Sequence, residues 1–434
     1  MSVRDWLKHS AFGEILIRRC PPFYSGFRGL LADMDTAGLE QRRAMSDAYL
    51  TRALETAGRT VYARSMKVAG NFDDWPVLEK ATLRDRFADL TLVHPSAASA
   101  TTGGTTGIPL RVRRSWRSVI FEQAVIDHLT SKAGVVWRRA RIAILRGDSI
   151  KASGDMSAPF WSFRHNGRHL VMSSNHLNTQ TAQHYAQALE SFRPDILWVY
   201  PTSLAALCGH LAGRLNLPSL KLVASSSEVL SADDRERAGK LLAAPICDFY
   251  GQAERVCASW SFDGKSHYFL PAYGKVELAF SHGDGEFDYY EIIGTPFWNT
   301  AQPLVRYRTE DFAKLQKGAS GDTVDAICHG AHPFAGISGR QSEFLVSPEG
   351  VRLVGMNFIP RGIPHVIQMQ VHQPNLQTVE IHLVPAPGYS AEIKDRILRN
   401  ARSKIPQSMQ IRIKPVEQLY RTPNGKAPLV VRTF

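Results

Sequence analysis

Residues 195–228 read DILWVYPTSLAALCGHLAGRLNLPSLKLVASSSE. A short apolar run, ILWV, stops at Pro201, a stretch with apolar residues at helical spacing follows, and a second apolar run, LKLVASS, closes the segment. Strand, crossover helix and strand in that order is the pattern of two parallel strands with a helix packed on their face. The rhythm extends both ways. ARIAIL at 140–145 is a further candidate strand, 179–192 and 232–242 are candidate helices, and PICDFYG at 245–251 is another strand. In such sheets ligands lie beyond the carboxyl ends of the strands, which makes 200–203, 225–228 and 250–254 candidate site segments on topology alone.

Outside this block the rhythm changes. Residues 1–95 read as helical, with apolar positions at helical spacing in 39–54 and 83–90, punctuated by Pro21, Pro22 and Pro76. The small-residue run PSAASATTGGTTGIP, 95–109, then breaks all periodicity. After residue 300 the segments look antiparallel: LVRYRTEDFAKL, and EFLVSPEGVRLV with its Pro-Glu-Gly turn. A last block holds the strand-like TVEIHLVPA, a helix over 390–404 capped by Ser390, the strand-like MQIRIKPV and the tail RTPNGKAPLVVRTF. The expected fold is α/β. A large N-terminal domain, 1–339, has mostly parallel sheet layers and helices, and a smaller C-terminal α+β domain spans 340–434.

The 434 residues include 52 Lys+Arg, 40 Asp+Glu and 44% hydrophobic residues, a composition that excludes disordered, collagenous and disulfide-stapled chains. Five scattered cysteines, Cys20, Cys208, Cys247, Cys257 and Cys328, never form CxxC and suit a reducing compartment. No run approaches about 18 uncharged apolar residues, and the start breaks each apolar run with a charge, so a cytoplasmic location is expected. From Arg340 onward there are 13 Lys+Arg and 6 Asp+Glu, which places +7 of the formal +12 in the last 95 residues. These charges stand singly, with no zinc-finger, basic-zipper or RNP signature. They suit a solvated face or a surface attracting polyphosphate better than a nucleic-acid site.

Chemistry concentrates in four short strings. TGGTTGIP, 102–109, packs three glycines and three threonines into eight positions; glycine backbone can approach an oxyanion closely and hydroxyls add donors, against the competing reading of a flexible linker. YGQAE, 250–254, ends a predicted strand; VRYRTEDF, 305–312, carries Asp311 after a cationic strand; SGR, 338–340, opens the change of domain. Alone, each is an ordinary surface string. In this order, with the final PNGK, they resemble the adenylate-forming superfamily of acyl- and aryl-acid ligases. The whole chain is similar to its short branch of phenylacetate-CoA ligases, coenzyme F390 synthetases and CapK-like proteins. Its length, PDILWVYPTSL ahead of SSSE, and the RTPNGK tail carry that resemblance.

The resemblance implies an AMP-forming acid–thiol ligase using ATP, Mg²⁺ and CoA, its acid aromatic. Thr102, Gly103, Gly104, Thr105, Thr106 and Gly107 would form the loop over the β- and γ-phosphates, with Thr105 among the catalytic groups. Ser226, Ser227 and Glu228 would lay backbone against adenine, Tyr250 and Gly251 would border it, and Glu254 would help hold Mg²⁺. Asp311 would bind the ribose hydroxyls, Arg340 ribose or phosphate, and Lys426 the substrate carboxylate and α-phosphate. The C-terminal domain would be a mobile lid hinged at Glu343. An amine or carrier-protein thiol as acceptor stays open, as does a catalytically degenerate nucleotide-binding protein. The expected partners are a small-molecule acid, ATP and CoA or another acceptor, without nucleic acid or membrane, and a homodimer stays open.

Three positions depart from the pattern. Ile108 stands where Lys is common, Glu343 where Asp is, and Glu310 where Gly is, the last expected to add negative charge near the nucleotide. Cys247, Cys257, His267, Cys328 and His329 match no zinc spacing and read as buried thiols and ordinary histidines. Phe160, Trp161, Phe163, Trp198, Tyr200 and Phe249, near predicted strand ends, read as core or as the lining of an acid pocket.

Overall fold

The N-terminal segment is helical: α1 (Ala11–Arg18), α2 (Phe23–Thr36), α3 (Leu39–Ala57), α4 (Val61–Met66) and α5 (Lys80–Asp85). The computed structural model describes residues 11–68, 70–94, 97–101, 110–146, 148, 150–151, 155–338, 344–348, 350, 352–353, 356, 359–360, 362–422 and 427–434. The helix expected over 83–90 stops at Asp85, because Arg86 leaves helical geometry and turns its guanidinium to Asp89 at 2.9 Å and Ser65 at 2.8 Å. An antiparallel hairpin, β1 (Ala98–Thr101) and β2 (Arg111–Arg114), leads into the largely buried α6 (Trp116–Lys132).

Next comes the block read from 195–228. It comprises β3 (Ile142–Leu145), β4 (Trp161–Arg164), β5 (His169–Met172), α7 (Ala182–Phe192), β6 (Ile196–Val199), α8 (Pro201–His210), β7 (Leu222–Ser226) and α9 (Ala232–Leu242). Its strands run in the order β7-β6-β3-β5-β4, parallel except for the β4 edge. Leu145, Leu197, Val199 and Val223 pack with Tyr185, Leu189 and Leu207 in one apolar core. Both sheet faces being covered explains the unbroken apolar strands. α9 is capped by Ser231, whose Oγ accepts the Asp234 N–H at 3.1 Å, with Asp233 and Asp234 in its first turn where the helix dipole favours anions.

Antiparallel pairing takes over afterwards. β8 (Ile246–Gly251), β9 (Ala258–Ser261) and β10 (Tyr268–Phe269) pair in sequence. β11 (Gly274–Gly283), β12 (Phe287–Pro296) and β13 (Tyr307–Gln316) form a sheet that, after α10 (Gly321–Cys328), β14 (Gly336–Ser338) completes. The C-terminal segment begins with the hairpin β15 (Leu345–Val346) and β16 (Arg352–Leu353). β17 (Val366–Asn375), β18 (Thr378–Pro385), α11 (Ala391–Arg402), β19 (Gln410–Pro415) and β20 (Val430–Arg432) follow, with strand order β19-β18-β17-β20. α11 lays Ile393, Ile397 and Ala401 on Val371, Val379 and Ile381. Ser390 occupies its N-cap position but makes no capping hydrogen bond, contrary to expectation; Glu392 in the first turn is the favourable group there.

The chain divides into two compact units, Met1–Ala140 with Cys247–Ser338, and Arg141–Ile246 with Gly339–Phe434. No helix among the described residues is long and apolar enough to cross a membrane.

In the first unit Gly274 opens β11 under the turn that follows β8. A Cβ there would lie 2.2 Å from the Val256 carbonyl oxygen and 2.6 Å from that of Thr295, both backbone atoms that cannot swing aside. Gly274→Ala is expected to destabilise this unit by about 1–3 kcal/mol, as overpacking of a filled site does, read as a lower midpoint in denaturant unfolding.

Candidate functional site

β13 alternates as a strand must: Tyr307, Thr309 and Asp311 face inward and are buried, while Arg308 and Glu310 face out. Its ladder with β12 is interrupted here, Phe312 pairing Glu291 and Arg308 pairing Ile293, so residues 309–311 bulge against Ile292 alone. Thr309 pins the bulge, its Oγ1 donating to the Ile292 carbonyl at 2.8 Å and accepting the Asp311 N–H at 3.1 Å.

The bulge brings Asp311 to one tyrosine hydroxyl, and the turn after β8 brings Glu254 to another. Tyr250, near the end of β8, donates to Asp311 Oδ2 at 3.0 Å and accepts from Gln252 Nε2 at 2.7 Å. Tyr307 donates to Glu254 Oε1 at 2.7 Å. Glu254 is 3% exposed, and its Oε2 is buried without a hydrogen-bond partner among the described residues. Burial, and after it the Asp311 carboxylate, raises the Tyr250 phenol well above its ordinary value, so it remains a protonated donor. Burial likewise pushes the Cys257 thiol up to about 12, where it is unreactive.

Two cations hold the turn carrying Glu254. Arg114 gives Nε and Nη2 to the Ala253 carbonyl at 2.9 and 2.6 Å. Arg255, in the left-handed region at φ 56°, gives Nη1 to the Ser118 carbonyl at 3.0 Å. Burial, then the neighbouring Arg255, brings the Arg114 guanidinium down to about 10, still cationic at neutral pH. A buried carboxylate oxygen lacking a donor is unfavourable by about 1–3 kcal/mol or more. Mg²⁺, which takes one or two protein carboxylates and completes its shell with water and phosphate oxygens, fits Glu254 Oε2.

The second unit builds a separate cluster at the carboxyl ends of β6 and β7. Helix α8 opens on Tyr200, which gives no side-chain cap, and Pro201, which has no N–H. Thr202 therefore offers the first free donor. Glu228 Oε2 accepts the Thr202 N–H at 3.0 Å and its hydroxyl at 2.8 Å, placing an anion at the positive end of the helix. Glu228 Oε1 accepts the Ala427 N–H at 3.2 Å. Burial lowers the Arg421 guanidinium from its ordinary value, against the opposing pull of Glu228. Gln368 Nε2 donates to the Thr202 carbonyl at 2.7 Å. Nearby, the Arg146 guanidinium lies 4.0 Å over the Trp198 ring and 5.2 Å over that of Tyr200.

Of the expected site residues, Tyr250, Glu254 and Asp311 thus converge in the first unit, with Gly251 closing β8. Ser226, Ser227 and Glu228 stand together in the second, Ser227 at φ 75°. Thr102, Gly103, Gly104, Thr105, Thr106, Gly107, Ile108, Arg340, Glu343 and Lys426 lie outside the described residues. Glu310 departs from expectation: it projects from the face opposite Asp311 and pairs with Lys80 at 3.2 Å, because strand alternation turns it outward. Its φ of 63° is the left-handed geometry that favours glycine. Tyr307, Thr309, Gln252 and Arg114 went unassigned; for the first two, period two through VRYRTEDF was the available signal. Phe160 is core, stacked on Tyr185 at 5.8 Å, whereas Phe163 is 60% exposed. Cys247 and Cys257 are buried thiols, and no group of three or more His, Cys, Asp or Glu able to hold a metal occurs among the described residues.

Residues 72–305 match the family model of AMP-binding enzymes, and residues 345–433 that of the CapK C-terminal domain. Protein CapK of Staphylococcus aureus is 23% identical over 289 residues, covering 65% of this chain but only 62% of CapK. Phenylacetate-coenzyme A ligase of Escherichia coli (strain K12) is 23% identical over 319 residues, covering 67% of this chain and 71% of the relative. The fold is that of 2-hydroxyisobutyryl-CoA ligase, whose crystal structure in the postadenylation state with R3-HIB-AMP gives a TM-score of 0.64 at 14% identity, over 92% of this chain and 90% of that one.

Tyr307→Phe would leave the buried Glu254 carboxylate without its donor. The expected loss is about 1–3 kcal/mol of stability at neutral pH. A denaturant titration at neutral pH measures it; an unchanged midpoint would detach the tyrosine from the carboxylate.

Proposed function

The chain belongs to the AMP-binding enzymes, and on that premise we propose that it is an AMP-forming acid–thiol ligase. With ATP and Mg²⁺ it converts a carboxylic acid, aromatic by first choice, into an acyl-adenylate, then transfers the acyl group to the CoA thiol. The supporting observation is the pair of buried carboxylates beyond β8, each oriented by a tyrosine hydroxyl, with Oε2 of Glu254 open to a cation.

In the first step a carboxylate oxygen attacks the α-phosphorus of ATP, the bond to the bridging oxygen breaks, and pyrophosphate leaves. Two anionic groups must meet, so positioning and positive charge lower the barrier. Asp311 accepts hydrogen bonds from the ribose hydroxyls while Tyr250 holds its carboxylate in place. Glu254 would hold Mg²⁺, which when bound would supply positive charge to the phosphates. Thr102 to Gly107 cradle the phosphates, Arg340 contacts ribose or phosphate, and Lys426 supplies the cation shared by acid and α-phosphate. In the second step the thiolate sulfur attacks the acyl carbon, the thioester forms, and AMP departs with the electrons of the broken C–O bond. The 340–434 domain changes orientation between the steps about Glu343, and the work is cytoplasmic.

The CapK-type C-terminal domain supports a second reading, in which the acceptor is an amine or a carrier-protein thiol of a polysaccharide or specialised-metabolite pathway. Purified protein with ATP, Mg²⁺ and phenylacetate, benzoate or 2-hydroxyisobutyrate, scored for pyrophosphate release with and without CoA, separates these readings. Acid-dependent release that yields thioester only when CoA is present supports the ligase; adenylate formation without transfer to CoA supports the second reading; no ATP turnover with any acid counts against both.

Lys426→Ala should cut pyrophosphate release by about 10²–10³-fold, the usual effect of removing one preorganised charge donor, at an unchanged melting temperature. A wild-type rate in the folded variant would remove Lys426 from the mechanism. Glu254→Gln should depress turnover more at limiting than at saturating Mg²⁺; an equal loss at both would make Glu254 structural.

A further inference from the structure

Strand β17 carries a glutamine, Gln370, with no exposed surface. Its Nε2 donates to the carbonyl of Tyr420 at 3.1 Å and to that of Pro428 at 2.6 Å. Both partners can only accept, which settles the orientation of the amide. Its Oε1 accepts the Tyr420 N–H at 3.1 Å and stands 2.8 Å from His372 Nε2. An amide oxygen has no hydrogen to give, so His372 Nε2 is the protonated nitrogen of that ring. Two donors and two lone pairs are all engaged.

The geometry has a simple meaning. Tyr420 and Pro428 are the two ends of the segment RTPNGKA, so one side chain ties both ends together. Just beyond, the Val371 N–H donates to the Leu429 carbonyl at 2.7 Å and β20 joins β17 in parallel. Inside the segment, Ala427 is held by Glu228. The residue before Ala427 is Lys426.

We propose that Gln370 is a positioning residue for Lys426: it fastens Tyr420 and Pro428, which flank the segment carrying Lys426, to one another and so restricts where the lysine can be presented. This rests on the ligase reading, in which Lys426 meets the acid and the α-phosphate. Gln370 touches no substrate and acts only through Tyr420 and Pro428. The ladder between β17 and β18 uses its backbone alone, so an apolar residue of similar size keeps the strand in place. What is lost is the tie, and a catalytic group free to wander loses effective concentration at the reacting atoms.

The test is a double-mutant cycle between Gln370→Leu and Lys426→Ala. The assay uses ATP, Mg²⁺ and phenylacetate, or whichever acid of the panel above gives the fastest release. Thioester formation from synthetic acyl-adenylate and CoA is followed in parallel. Gln370→Leu should lower kcat for pyrophosphate release about ten- to a hundredfold, keep KM for ATP within about threefold, and leave thiol transfer within about twofold. In the Lys426→Ala background it should add no further loss, since the positioned group is gone. Gln370→Glu serves where the leucine variant folds poorly; it keeps the acceptor for Tyr420 N–H but sets anionic oxygen against two carbonyls, and should likewise be silent without Lys426. Losses that multiply in the double variant, an equal slowing of both half-reactions, or wild-type pyrophosphate release by folded Gln370 variants overturn the inference while an impaired Lys426→Ala leaves the ligase reading intact. A wild-type rate for Lys426→Ala overturns the lysine's role itself, and this inference with it.

Discussion

A carboxylate at the carboxyl end of a parallel sheet must find donors, and Glu228 finds three: the first free N–H of α8, the Thr202 hydroxyl, and the Ala427 N–H. Hydrogen bonds to charged groups contribute about 1.5–3 kcal/mol each, more than neutral ones. The helix dipole adds to the first of them, and half-buried Arg421 supplies the compensating positive charge that a half-buried anion requires. Through this one side chain the C-terminal segment is joined to the end of the parallel layer, within hydrogen-bonding distance of the strand end where α/β sheets take their ligands.

The first unit solves a related problem differently. Asp311 and Glu254 are both buried, and each accepts a phenol hydroxyl. A neutral donor orients a carboxylate without neutralising it. Among the described residues Glu254 Oε2 is left without a donor, so its charge stays available to a cation, the preorganisation that polar catalysis depends on. Positive charge is kept one step away, with Arg114 and Arg255 holding the backbone on either side of Glu254. The outward turn of Glu310 belongs to the same arrangement: the bulge that brings Asp311 inward sends its neighbour to Lys80.

Most of the parallel layer could be read from the residues, because strands covered on both faces are continuously apolar and their crossover helices follow the 3.6 period. DILWV and LKLVASS became β6 and β7, and the helix expected over 232–242 became α9 with the same limits. The residues proposed to face the nucleotide were singled out through ordered motifs. What stayed hidden depends on contacts between distant segments. Nothing local in SSSE says that Glu228 will meet Ala427, nor in IQMQVHQ that Gln370 will meet Tyr420 and Pro428. Tyr307 could have been assigned from alternation with Asp311, since both lie on the buried face of one strand. The acid is silent for another reason. Phe160, Trp198 and Tyr200 look alike in sequence, and only packing separates a core ring from one that carries Arg146.

Two buried amides on β17 show how a small sheet can govern segments it does not contain. Gln373, like Gln370, has no exposed surface; its Nε2 donates to the Val346 carbonyl at 2.6 Å and its Oε1 accepts the Val346 N–H at 2.9 Å, copying a ladder pair with a side chain. Leucine at either position would bury as well but would leave paired backbone groups without partners, and a half-satisfied polar core is worse than none. An apolar contact also tolerates sliding, whereas a fully engaged amide accepts one register only. Gln373 thus holds the chain where it enters the C-terminal domain, just after the segment containing Arg340 and Glu343. Gln370 holds it where it leaves, around the segment containing Lys426. Both grips lie on one strand, three residues apart, so the position of entry and the position of exit are set by a single rigid element.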